Sequence, residues 1–185
     1  MMTPAWYVQS RLTPKPAPRP ELEDDEDEEG MLQSVKYIES LINDLIQNDS
    51  IPTERIVVGG FSQGMAISSL LSLVSARFAG KLGGILAVCG YLPIEKRIAS
   101  LRAEHEISPN TTPGITKLLV MRGKADVLVP KRYIDIVRER LKENGYVEGS
   151  NLQVKEYDGV GHTITGDMIK DMAAWMEQVV PETKT

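Results

Sequence analysis

A serine stands between two glycines at Gly60-Phe61-Ser62-Gln63-Gly64, directly after the hydrophobic run 55–59. The segment that follows, residues 65–78, carries apolar side chains at the spacing of a buried helix. A strand, a sharp turn that glycines permit and a helix form a nucleophile elbow, which holds a serine hydroxyl exposed for attack. This pattern requires a strand that runs directly into a helix covering the sheet, and few fold classes provide that arrangement.

Strand-like and helix-like patterns alternate along the rest of the chain. Apolar runs at 83–90, 117–121 and 151–157 predict three further strands. Helices are predicted from Met31 onward and over 65–78, 131–144 and 165–180, whereas 91–116 is expected to be an irregular connection. Alternating strands and helices predict an α/β fold with a parallel sheet that is covered by helices on both faces.

Polar residues that suit a hydrolytic site follow three of the predicted strands. Ser62 follows the first, Asp126 the third and His162 the fourth. In a parallel sheet these loops meet at one edge, and the order Ser, Asp, His is that of α/β-hydrolases. An imidazole at His162 can take the serine proton and return it to the leaving group, and a carboxylate at Asp126 can orient the ring. The backbone N–H of Gln63, at the start of the helix, would face the oxyanion.

Other residues in the sequence could also serve as the base or as the orienting acid. His105 is the other histidine, but it lies in a charged loop-like segment. Asp158 is too near His162 in sequence to approach it from a separate loop, and Asp167 belongs to the closing helix. The sequence therefore favours Ser62, Asp126 and His162 as the catalytic residues.

The charge of the chain is unevenly distributed. Residues 1–30 hold three basic and eight acidic side chains, which accounts for the whole net charge of −5. With four prolines among residues 10–30, this segment is predicted to be a flexible, solvated N-terminal region, followed by an α/β-hydrolase domain over 31–182. The balanced remainder offers no basic face for nucleic acid.

The rest of the sequence bears on the cellular location of the protein and on the chemistry available to it. The chain of 185 residues has no apolar run of about 18 residues and no signal-peptide core, so stable membrane insertion is not expected and a cytoplasmic location is the default. The one cysteine, Cys89, lies in an apolar run and is predicted to be a small buried thiol. No metal or cofactor is expected.

These segments together resemble the acyl-protein thioesterase family, also called the phospholipase/carboxylesterase family, of α/β-hydrolases. The resemblance is carried by Trp6-Tyr7, by the runs 27–30, 51–56 and 59–64, and by 91–93, 126–130 and 157–162. It implies hydrolysis of fatty-acyl thioesters or oxygen esters, including S-palmitoyl cysteine on proteins. S-acylated proteins or small acyl esters would be the substrates, and a nuclear pool and a weak homodimer are compatible with it.

The chain departs from the family pattern in two places. Family members begin with strands and a His-Gly-x-Gly-Asp loop that supplies a second oxyanion donor, and no such stretch precedes Trp6. A fold lacking the family's first strands, from a truncated gene model or isoform, is therefore expected to leave 56–58 at an exposed sheet edge. Arg122 and Lys124 also stand near Asp126, where they are expected to keep it ionised and to compete with His162 for its oxygens.

The sequence is compatible with three functions. The first is an acyl-protein thioesterase that works through an acyl-enzyme on Ser62. The second is a small carboxylesterase or lysophospholipase with the same catalytic residues, because acyl-chain pockets are lined by generic apolar side chains. The third is a catalytically weak hydrolase relic that serves as a binding module.

Overall fold

The computed structural model of the chain describes residues 5–8, 26–108 and 111–180. Within these ranges, helices and strands alternate, with two single 3₁₀ turns at Thr53–Arg55 and Glu95–Arg97. The order is α1 (Glu28–Asn48), β1 (Val57–Phe61), α2 (Gln63–Val74), β2 (Gly84–Val88), α3 (Ile98–Glu104), β3 (Lys117–Gly123), α4 (Lys131–Glu143), β4 (Leu152–Tyr157) and α5 (Gly166–Val179).

The four strands form one parallel sheet in the order β1-β2-β3-β4. Their carboxyl ends are in register, with Phe61 beside Val88 and Gly123 beside Tyr157. The predicted parallel α/β fold is confirmed. Because every strand is followed by its spatial neighbour, right-handed connections carry the intervening helices over the same face of the sheet.

The packing follows from that topology. Sheet residues of one parity, including Ile85 and Val120, pack into a large core with α1, α2, α3 and α4. Residues of the other parity, including Val88 and Met121, pack into a smaller core with Met168 and Trp175 of α5. Helices therefore cover both faces as predicted, with α5 alone contributing helical cover to the second core among the described helices.

Helix α1 begins at Glu28, three residues before the predicted Met31. The side chain of Asp27 accepts the N–H of Gly30 at 3.0 Å, a carboxylate cap that the positive end of the helix favours. Glu26 accepts the N–H of Ile94 at 2.6 Å, and Glu28 pairs with Arg97 at 3.0 Å. The end of the acidic run, at Glu26 and Glu28, is thus bonded to the fold rather than free in solvent.

The proposed boundary at residue 30 stays a prediction, because most of the proline-rich and acidic segment lies outside the described residues. Of the earlier residues, Tyr7 is buried with 4% exposure in the larger core. A part of the N-terminal region therefore packs against the domain.

The prediction that 91–116 is irregular was wrong at α3. This helix has only seven residues, and its buried positions include a charged one, Arg102. The guanidinium of Arg102 donates to the carbonyl oxygens of Leu73 at 2.8 Å and Ser108 at 3.1 Å, which satisfies its charge inside the protein. A buried arginine interrupts the apolar pattern by which a helix is recognised in sequence.

Strand β1 lies at an edge of the sheet as described, as expected for the run 56–58. Val57 and Val58 are half-buried, but Ile56 is 6% exposed and packs in the larger core, so the expected exposure is wrong for that residue. Ile56 precedes the strand, and backbone hydrogen bonds hold it: its N–H donates to Thr53 O at 3.1 Å, and its carbonyl oxygen accepts the N–H of Gly83 at 3.0 Å. Among the described helices, none has both the length and the apolar composition needed to cross a bilayer.

We expect Ile85→Ala to lower the free energy of unfolding by about 2–5 kcal/mol, because a side chain with 0% exposure leaves a cavity between sheet and helices. The matched control is Ile169→Ala on α5, where the side chain is 57% exposed. Urea unfolding followed by circular dichroism measures both. Equal losses in the two variants would contradict the assigned core.

Candidate active site

Ser62 occupies the turn between β1 and α2 in a strained backbone conformation, with φ 56° and ψ −116°. The turn is tight enough that a Cβ on Gly60 would lie 2.0 Å from the carbonyl carbon of Gly64. Only glycine fits at position 60, which explains the first glycine of the sequence pattern. The Ser62 N–H donates to Val88 O at 2.9 Å, so the β1–β2 ladder continues to the serine itself.

Gln63 is the first residue of α2. Its backbone N–H has no hydrogen-bond partner within the described ranges, as is usual in the first turn of a helix. This places a free donor at the positive end of a helix, immediately after the serine. The predicted oxyanion donor is therefore available in the structure.

His162 lies in the connection from β4 to α5, and two hydrogen bonds hold that connection against the loop after β3. The N–H of Ala125 donates to Val160 O at 2.9 Å, and the N–H of Lys124 donates to Tyr157 O at 2.8 Å. A Cβ on Gly123 would lie 2.0 Å from Val160 O, so a glycine is required for this approach. The two loops are thus positioned as one unit.

The structure brings Ser62, His162 and Asp126 together. The Nδ1–H of His162 donates to Asp126 Oδ2 at 2.8 Å, which leaves Nε2 as the acceptor facing Ser62 Oγ at 3.1 Å. The side chain of His162 is 16% exposed, and that of Asp126 is fully buried. This chain of hydrogen bonds joins residues that are 36 and 100 positions apart in sequence.

The carboxylate of Asp126 is bonded at both oxygens. Besides His162 at Oδ2, Oδ1 accepts the N–H groups of Leu128 and Val129, each at 2.9 Å. Burial by itself raises the pKa of Asp126, but the hydrogen bonds from His162, Val129 and Leu128 outweigh it and hold the pKa below its ordinary value. Asp126 is therefore ionised while buried, as an orienting carboxylate needs to be.

Neither predicted competitor approaches the Asp126 carboxylate. The Arg122 side chain, 6% exposed, pairs through Nη1 with Glu156 at 3.1 Å, and Lys124 pairs with Asp158 at 2.9 Å. The expectation that these cations compete with His162 for Asp126 was wrong, because each has an acid of its own. Those acids lie on β4 and in the loop after it, where strand pairing brings them beside β3.

The other residues considered as base or orienting acid make contacts elsewhere in the protein. His105 is at the carboxyl end of α3, with Nδ1 2.6 Å from Val74 O. Asp158 is 88% exposed and paired with Lys124, and Asp167 is 80% exposed and paired with Lys170. Of the three acids considered for the site, the structure bonds only Asp126 to His162.

Phe61 is a further member of the site that the sequence pattern did not indicate. Its ring lies 4.8 Å from the His162 ring, centroid to centroid, at an interplanar angle of 50°. The position next to Ser62 was the only signal for it. Cys89 is buried as predicted, with burial raising the pKa of its thiol, and its Sγ lies 3.7 Å from Thr163 O in the histidine loop.

No group of histidine, cysteine, aspartate and glutamate side chains suited to hold a metal ion occurs among the residues that the structure describes. Ser62, His162 and Asp126 are hydrogen-bonded in the order that a nucleophile, a base and an orienting acid would take. Together with the free N–H of Gln63, it has the parts needed for nucleophilic acyl transfer.

The family model for phospholipases and carboxylesterases matches residues 1–180 of the chain. The chain belongs to the phospholipase/carboxylesterase family. The family resemblance inferred from the sequence is thereby confirmed.

Curated relatives include acyl-protein thioesterase 1 of Yarrowia lipolytica, 32% identical over 98% of this chain, and acyl-protein thioesterase 1 of Mycosarcoma maydis, 34% identical over 84%. The chain spans 71% and 64% of the lengths of these two proteins. The crystal structure of Zea mays acyl-protein thioesterase 2 has a similar fold, with a TM-score of 0.71, 24% identity and coverage of 95% of this chain and 72% of that one.

Asp126→Asn should destabilise the protein at neutral pH, with a deficit that shrinks as the pH falls below about 4. The folded pKa lies below the unfolded one, so the ionised group stabilises the fold above the unfolded pKa, and this contribution is lost as acid protonates it. Unfolding in urea at pH 7, 4 and 3 measures the deficit on both sides of the unfolded pKa. The control Asp158→Asn, 88% exposed, should show little change at any pH, and a deficit for Asp126→Asn that grows in acid would contradict the assignment.

Proposed function

We propose that the chain is a serine hydrolase that cleaves acyl thioesters and esters through an acyl-enzyme on Ser62. The observation that carries this proposal is the unbroken hydrogen-bond chain from Ser62 Oγ through His162 to the buried Asp126 carboxylate. A serine hydroxyl is a weak nucleophile until a base takes its proton, and an imidazole 3.1 Å away is in position to do so.

In the acylation step, Ser62 Oγ attacks the acyl carbonyl carbon while His162 Nε2 takes its proton. The imidazolium that forms is stabilised by Asp126 through the Nδ1–H bond, and Asp126 keeps its negative charge. The tetrahedral intermediate then collapses, the bond to the leaving sulfur or oxygen breaks, and His162 returns the proton to that atom. The products are a thiol or alcohol and an ester of Ser62.

In the deacylation step, water takes the place of the leaving group. His162 Nε2 accepts a proton from the water as its oxygen attacks the acyl carbon, and it then protonates Ser62 Oγ as the ester bond breaks. The carboxylic acid leaves and the serine is restored. In both steps the Gln63 N–H faces the negative oxygen, where the start of α2 adds to the stabilisation.

Exposed apolar side chains beside the catalytic residues support a fatty-acyl substrate. Phe61 precedes Ser62 and is 38% exposed, Val127 and Leu128 follow Asp126 at 61% and 46%, and Ile164 follows His162 closely at 42%. Apolar groups grouped around a polar site are a common sign of an apolar ligand. With relatives named acyl-protein thioesterases, we propose S-acylated cysteine on proteins as the substrate class.

A second candidate is a carboxylesterase or lysophospholipase, and the family's own description supports it. The apolar rim of the site, formed by Phe61, Val127, Leu128 and Ile164, suits the acyl chain of any ester. A cytoplasmic location and a weak homodimer remain predictions.

Ser62→Ala should abolish covalent labelling by a fluorophosphonate probe, and His162→Ala should slow labelling by about 10³-fold or more, because the hydroxyl loses its base. His105→Ala is the matched histidine control and should label at the wild-type rate, since His105 contacts Val74. Fluorescence of the labelled band over time measures the rates. A folded wild-type protein that does not label would instead favour the binding-module relic.

The rate of ester hydrolysis should rise with acyl length from acetyl toward octanoyl, because each methylene buried on the rim contributes up to about 0.8 kcal/mol. Val127→Asp should weaken this dependence while leaving acetyl ester hydrolysis nearly intact, and Val147→Asp, similarly exposed at 58%, is the control. Steady-state kcat/KM on a series of acyl thioesters and oxygen esters measures both chain length and leaving group. A flat profile would contradict the fatty-acyl assignment, and higher kcat/KM on oxygen esters would favour the second candidate.

A further inference from the structure

The N-terminal residues Trp6 and Tyr7 are tied to the catalytic elbow by the side chain of Gln63. The N–H of Trp6 donates to Gln63 Oε1 at 3.2 Å, and Gln63 Nε2 donates to Tyr7 O at 3.5 Å. One amide side chain thus bonds a donor and an acceptor of the same short segment, as a neighbouring strand would. Gln63 is also the residue whose backbone N–H follows Ser62.

Further contacts fix the same segment from its other sides. The N–H of Val8 donates to Asp27 Oδ2 at 2.8 Å, and the Ser34 hydroxyl donates to Trp6 O. The Tyr7 ring is buried, and its hydroxyl lies 3.0 Å from that of Tyr91. Residues 6–8 are therefore held to α1, to the loop after β2 and to the elbow.

The Trp6 side chain projects from this fixed backbone onto the first turn of α2. Its Nε1 lies 3.9 Å from the position that a Cβ on Gly64 would take, and the residue is 40% exposed. Within the described ranges the indole N–H has no hydrogen-bond partner. A free donor on a rigid ring thus lies against the helix turn that carries the Gln63 N–H.

Each donor aimed at the oxygen that becomes negative stabilises the transition state, and the loss of one enclosed donor lowers kcat by about 10²–10³. We propose that Trp6 is a further catalytic residue, whose indole N–H donates to the acyl oxygen as it becomes negative, and that the Gln63 side chain is the positioning residue that holds it there. This inference rests on the proposed acyl-transfer function. It assigns the elbow a second donor from a residue 57 positions before Gln63 in the sequence.

Trp6→Phe keeps an aromatic ring and removes the donor. We expect it to lower kcat on p-nitrophenyl acetate about tenfold with KM nearly unchanged, because the donor acts on charge that develops in the transition state. The effect is smaller than the ~10²–10³ of an enclosed donor because the indole is partly exposed. Val8→Ala, in the same segment and 73% exposed, should leave both constants unchanged.

Trp6→Ala separates a donor from a plain apolar wall. If the indole acts as a donor, Trp6→Phe and Trp6→Ala lose similar activity. Wild-type kcat in Trp6→Phe would overturn the proposal while leaving the role of Ser62 intact. A wild-type protein that neither turns over the ester nor labels at Ser62 would overturn both.

The positioning role of Gln63 is tested by Gln63→Met, which keeps the side-chain length and removes both hydrogen bonds. If Gln63 acts through Trp6, the double variant with Trp6→Phe should lose little more kcat than Trp6→Phe alone, because the two changes remove one interaction. Multiplicative losses in the double variant would overturn this part. Circular dichroism and thermal unfolding confirm that each variant is folded before its rates are compared.

Discussion

The register of the parallel sheet is the constraint on which the catalytic geometry depends. Phe61, at the end of β1, is paired with Val88, and Gly123 of β3 is paired with Tyr157 of β4. Ser62 directly follows β1, Asp126 is the third residue after β3, and His162 is the fifth residue after β4. A slip of one residue in any ladder moves a strand end by about 3.3 Å, which is more than a hydrogen bond tolerates.

The second requirement is that neighbouring cations do not bind the Asp126 carboxylate. Ion pairs with acids of β4 and its loop meet this requirement. The Asp126 carboxylate is buried and takes its hydrogen bonds from His162 and two backbone N–H groups. The neighbouring cations Arg122 and Lys124 are bound by acids from β4 and its loop. A cation bound to Asp126 would weaken its hydrogen bond to His162, so these two ion pairs leave the Asp126 carboxylate to His162.

The elements that were predicted from sequence are those with a periodic apolar signal. The four strands and the long helices lie within a few residues of their expected positions, and the order of Ser62, Asp126 and His162 followed from the strands. Helix α3 was missed because the buried Arg102 breaks its pattern, and the contacts of Glu26 and Glu28 were missed because they join distant parts of the chain. Polar contacts between distant residues leave no periodic trace in a sequence, so they could not be predicted from it.

Ser62 directly follows β1, an edge strand of the described sheet, so the elbow depends on the contacts that hold this edge. Strand β1 is paired only with β2 in the described sheet, and two of its five residues are glycines, which weakens a strand. The strained Ser62 turn must therefore be held by β2, by the packing of α2 and by the Gln63 contacts to Trp6 and Tyr7. Local opening of this edge would move Ser62 away from His162, so the stability of these contacts limits how long the hydrogen bond between the two side chains persists.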